Sequence, residues 1–84
     1  MKLWAVTREG VYRHGICGIF TSQEAAEFQA WFSLMSEKDD YHSFDVLEFM
    51  ANQGVEDGAE VASFTRVDGV AHKDGKEYIL EKID

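Results

Sequence analysis

Thr21-Ser22-Gln23-Glu24-Ala25-Ala26-Glu27-Phe28-Gln29-Ala30-Trp31-Phe32-Ser33-Leu34-Met35 is the stretch that decides the fold, because it carries helical periodicity between segments that read as strands. Its start is marked twice. Thr21 can accept from the backbone N–H of Glu24 while the Glu24 carboxylate reaches back to the N–H of Thr21, and Ser22 is the alternative cap. The pattern predicts a helix over residues 23–35. Phe28, Trp31, Phe32 and Met35 recur at steps of three and four, with Ala25 and Leu34 beside them. That spacing predicts a broad aromatic face laid against a sheet.

Working outward toward the N-terminus, residues 3–6 form a compact apolar run bounded by charge, and residues 11–20 are apolar and β-branched again. Glu9-Gly10 supplies a turn between them, so residues 2–20 read as a β-hairpin. Gly15 and Gly18 inside the second strand predict a bulge or a close backbone approach. Toward the C-terminus, residues 36–40 are a polar exit loop and residues 41–50 a third strand. There Phe44 and Val46 point one way and Leu47 and Phe49 the other, which predicts a bulge near Val46. Residues 51–60 are an acidic surface loop. Residues 61–67 and 77–83 are strands, with a short strand at 70–73 between the turn signals Asp68-Gly69 and Asp74-Gly75. The fold class is α+β: a mainly antiparallel sheet in the order β-β-α-β-β-β, with one amphipathic helix on one face and a single domain over residues 1–84.

Charge narrows the partners. Residues 37–60 hold eight carboxylates (Glu37, Asp39, Asp40, Asp45, Glu48, Glu56, Asp57, Glu60) against Lys38, nearly all of the net −8. The first twenty residues lean the other way, with Lys2, Arg8 and Arg13 against Glu9. An acidic surface of this kind repels nucleic acid and anionic membranes and attracts basic proteins. Direct nucleic-acid binding is disfavoured, since phosphate neutralisation needs lysine and arginine. No apolar run approaches the length of a membrane span. Arg8 and Glu9 end the N-terminal apolar run too early for a signal peptide, and the lone Cys17 suits a reducing cytoplasm. Cys17 lies among apolar neighbours and reads as a small buried hydrophobe.

Chemistry-bearing residues are sparse. His14, His42 and His72 match no metal-ligand spacing, so no metal and no cofactor are expected. The glycines near Cys17 fit neither the phosphate-loop nor the dinucleotide pattern. Two function classes remain. The first is a non-enzymatic protein-binding module in which Asp39, Asp40, Asp45, Glu48, Glu56, Asp57 and Glu60 form one negative face for a basic partner surface. The second is a small-ligand or metal-binding protein, or a small enzyme, centred on Arg13, His14 and His42. A homodimer through an exposed sheet edge, residues 61–67 or 77–83, is a third arrangement.

Residues 3–15, 18–22 and 39–46 together resemble a family of small bacterial and phage proteins. The shared outline is a Gly-Val-Tyr-Arg-His…Gly-Ile-Phe hairpin, a helix with alternating Ala and Glu, and an Asp-x-Tyr-His-x-Phe-x-Val strand. The resemblance covers roughly the first fifty residues and implies the fold and a phage or prophage origin. It brings no activity and no catalytic residues. Combined with the charge, it implies an acidic inhibitor or regulator of a nucleic-acid-handling host complex, such as an anti-CRISPR or other anti-defence protein, in the host cytoplasm.

Overall fold

A computed structural model describes residues 1–9, 15–38 and 42–79. Strands β1 (Lys2–Arg8) and β2 (Ile16–Phe20) precede helix α1 (Gln23–Met35). Then come β3 (Ser43–Met50), a 3-10 turn (Val55–Asp57), β4 (Ala59–Val67), β5 (Val70–Lys73) and β6 (Lys76–Glu77). One antiparallel sheet results, in the order β2-β1-β3-β4-β5-β6. The α+β architecture, with one helix on one face, is as the sequence implies. The connection β2–α1–β3 carries the chain from one side of β1 to the other, which seats the helix over the middle of the sheet.

Both Asp-Gly signals are two-residue turns. Asp68 and Gly69 have φ of 52° and 79°, and Asp74 and Gly75 have 52° and 84°. Two consecutive left-handed residues match the right-handed twist of the flanking strands, and glycine takes the second position without a Cβ penalty. At Gly18 the expected irregularity is also present. Val6 pairs with Gly18 but Thr7 pairs with Ile16, so Cys17 is the extra residue of a bulge. A Cβ at Gly18 would lie 2.9 Å from the Phe20 ring.

Several expectations need correction. Ser22, not Thr21, is the N-cap: its Oγ accepts from the N–H of Ala25 at 3.2 Å. The helix therefore starts at Gln23, which puts Glu24 one position too early to close a reciprocal box. The helix packs with Ala26, Ala30 and Leu34 inward, while Phe28, Phe32 and Met35 are 49%, 54% and 38% exposed. The sheet beneath already supplies bulk through Phe44 and Phe64, with Trp4, Phe20 and Tyr78 packed around them, so a small-residue face seats closest. The bulge near Val46 falls at the expected place against β4, but its extra residue is Val61; β3 itself runs in regular register along β1. Phe44 and Val46 on the helix side and Leu47 and Phe49 on the other are thus ordinary alternation. Among the described residues the last strand is Lys76–Glu77, after which the Tyr78 N–H still donates to the Ala71 carbonyl at 2.9 Å and its ring meets Phe64 edge-on at 5.3 Å; residues 80–83 lie outside the described residues. Residues 61–67 lie in an interior strand between β3 and β5, so they offer no edge to a second copy.

Arg66 and Lys73 tie the helix down. α1 has no basic residue in its last turn. Arg66, 8% exposed on β4, donates through one guanidinium nitrogen to the carbonyls of Leu34 (3.2 Å) and Met35 (3.5 Å). That places a cation at the negative end of the helix dipole and satisfies carbonyls the helix cannot. Lys73 on β5 donates to Glu27 at 2.6 Å, joining the helix flank to the sheet.

Candidate functional site

On the helix-free face, strand pairing gathers polar residues from β3, β4 and the turn between β5 and β6. Asp45 on β3 stands opposite Ser63 on β4. Ser63 Oγ donates to Asp45 Oδ1 at 2.9 Å, and the Ser63 N–H donates to Asp74 Oδ1 at 2.9 Å. The Asp74 N–H returns a bond to the Ser63 carbonyl at 2.8 Å. Glu60 joins this group through the Val61 bulge. Its carboxyl is raised above the ordinary glutamate value, first by partial burial and then by the neighbouring Asp45 and Asp74 carboxylates. Three carboxylates therefore crowd around one serine, and no basic side chain is hydrogen-bonded or ion-paired to them among the described residues.

The predicted acidic face is only partly assembled. Asp45 and Glu60 converge, but Glu48 alternates to the helix side of the sheet, where it sits 4.0 Å from Lys2. Glu56 and Asp57 are exposed on the 3-10 turn that leads into β4. Asp39 and Asp40 lie outside the described residues. Asp74 and Ser63 belong to the cluster and were not singled out by sequence. Counting back from the Asp68-Gly69 turn would have set Ser63 opposite Asp74, since hairpin register follows from the turn.

No protein-family model, curated protein or solved structure matches the chain. The reading of the site thus rests on its own chemistry.

The second predicted site lies at the start of β3, around His42. Arg13 and His14 fall outside the described residues. His42 contacts Glu9 through Nδ1, and Arg8 lies 2.9 Å from its Nε2. Arg8 is also 3.4 Å from Glu37, which approaches His42 Nε2 at 3.8 Å. These four side chains tie the end of β1, the loop after α1 and the start of β3 into one polar knot. Beside it is a polar cleft of about 310 Å³ lined by Arg8, Cys17, Ser33 and Glu37. Cys17 is exposed as a residue, contrary to the buried reading, because the bulge throws it off the ladder. Its sulfur leans toward the Gly15 carbonyl at 3.5 Å. The thiol pKa is raised chiefly by that partial burial, with Arg8 pulling it down and Glu37 pushing it up. Such a thiol is a poor nucleophile at neutral pH. His72 is a strand histidine whose Nδ1 lies 3.0 Å from the Val70 carbonyl. Among the described residues no group of three His, Cys, Asp or Glu side chains is placed to hold a metal ion, and no helix is long and apolar enough to cross a membrane.

Proposed function

We propose that the protein is a non-enzymatic binding module that engages a basic protein surface through Asp45, Glu60 and Asp74. The observation that carries this reading is the convergence of Asp45, Glu60 and Asp74 on one patch beside Ser63, close enough that the two aspartates help raise the Glu60 carboxyl. Asp45 and Asp74 hold Ser63 in the fold, but the like charges gathered there repel, and an incoming lysine or arginine relieves the repulsion and gains charge-assisted hydrogen bonds. The surplus of acid elsewhere on the chain, −8 in all, adds long-range steering toward the same partner. A basic nucleic-acid path on a host complex is the narrower form of this proposal, and Glu56 and Asp57 at the start of β4 would extend the contact.

The test is affinity capture from host lysate at low and high salt, comparing the native chain with an Asp45→Asn, Glu60→Gln, Asp74→Asn triple variant. A protein retained by the native chain, released by salt and lost by the variant supports the proposal. A partner held equally by both chains would place the interface elsewhere.

A further inference from the structure

The outward side of α1 has an order of its own. Ala25, Phe28, Phe32 and Met35 are all exposed and follow one another at steps of three, four and three. That is the alternating 3-4 spacing of a helix–helix seam, two turns long. The Phe28 and Phe32 rings stack at 6.5 Å, and Phe28 also meets Trp31 at 6.0 Å, so the stripe is continuous. No charged residue interrupts it between Ala25 and Met35 on that side. Its ends are marked by opposite charges: exposed Glu24 in the first turn and exposed Lys38 just beyond the C-cap.

We infer that this stripe seats the same stripe of a second copy, with the two α1 helices antiparallel across a two-fold axis. Three features choose this occupant and this direction. Antiparallel seams set the first seam position of one helix against the last of the other. Small Ala25 then faces the partner's larger Met35, and Phe28 faces the partner's Phe32. The same alignment brings Glu24 to the partner's Lys38, twice by symmetry, whereas a parallel pair would bring like ends together. Opposed helix dipoles favour the antiparallel direction as well.

Area sets the strength. An aromatic side chain carries about 150–250 Å². The half-exposed Phe28 and Phe32 thus offer on the order of 200 Å² between them. Met35, with exposed Ile79 and Val70 beside it around an apolar cleft, adds a flank. The sum stays below the roughly 800 Å² per partner of a standard interface. The dimer is therefore reversible and concentration-dependent. It leaves the Asp45–Glu60–Asp74 cluster, on the other face of the sheet, free on both copies.

Sedimentation equilibrium of the full chain, from low micromolar to millimolar concentration near physiological ionic strength, reads the association directly. The native chain should pass from monomer to dimer. Phe32→Glu, at an exposed position that leaves the core intact, should weaken dimerisation by about thirtyfold or more, as loss of a central aromatic anchor does. Glu24→Lys and Lys38→Glu should each weaken it by up to about fivefold, and the two together should restore it. A monomer at every concentration overturns the inference, as does a dimer indifferent to Phe32→Glu. A double swap that fails to restore binding overturns the antiparallel pairing.

Discussion

On the helix side of the sheet, Arg66 and Lys73 each face groups that balance them: two helix carbonyls and the Glu27 carboxylate. On the other side, Asp45, Glu60 and Asp74 face one another across Ser63. Lys73 and Asp74 are neighbours in the chain, yet one fastens the helix while the other adds to a like-charged cluster. Charge on the first face serves folding. On the second face Asp45 and Asp74 hold Ser63 while repelling one another and Glu60, a repulsion that the proposed basic partner would relieve.

That contrast can be broken from its strong side first. Leu34→Ala removes the largest inward side chain of α1 and should cost about 3 kcal/mol in chemical denaturation. A loss below 1 kcal/mol would mean the helix is not seated as described. Arg66→Met keeps bulk but removes the guanidinium donor from the Leu34 and Met35 carbonyls, of which Leu34 keeps the Glu37 N–H at 3.2 Å; a loss of about 1 kcal/mol is expected. The helix-free face should respond in the opposite sense. Thr7 is fully buried there, paired with Asp45, and its hydroxyl has no hydrogen-bond partner among the described residues. Thr7→Val should therefore stabilise by about 1 kcal/mol, since a buried unmet hydroxyl is replaced by a methyl.

The smallest effects concern titration. Because the Glu60 carboxyl is raised in the folded chain, the folded state holds its proton at pH values where the unfolded chain has lost it. Its penalty is absent below the ordinary glutamate range, grows as pH rises through the folded value and is complete above it. Glu60→Gln should remove that slope and leave the chain slightly more stable at neutral pH, by an amount solvent keeps small at so exposed a position. In the polar cleft beside His42, Glu37→Gln should speed alkylation of Cys17 at neutral pH, because Glu37 is one of the groups holding the thiol pKa up. An unchanged rate would remove Glu37 from that role.

Legibility in the sequence divided along the same line. Local signals sufficed for the helix limits, the two Asp-Gly hairpins and the Gly18 irregularity, because caps, turn residues and glycines act within a few positions. The inward face of α1 was half legible. Aromatic spacing pointed rightly to Trp31, with Leu34 beside it, but also to Phe28 and Phe32, and it was Phe44 and Phe64 on distant strands that gave the closest seats to Ala26 and Ala30. The acidic site was half legible for the same reason. Composition flagged Asp45 and Glu60, while the pairing of β3 with β4 and the Val61 bulge decided that Glu48 departs and Asp74 arrives.

The central claim is that the Asp45–Glu60–Asp74 cluster is maintained for a partner and opposes the fold. Urea denaturation of the Asp45→Asn, Glu60→Gln, Asp74→Asn variant at low ionic strength tests it most directly, since each amide keeps an acceptor oxygen for Ser63 while losing the charge. The account predicts a midpoint above that of the native chain, with the difference shrinking as salt screens the repulsion. A midpoint below the native one, unaffected by salt, would show that the carboxylates are structural and contradict the claim.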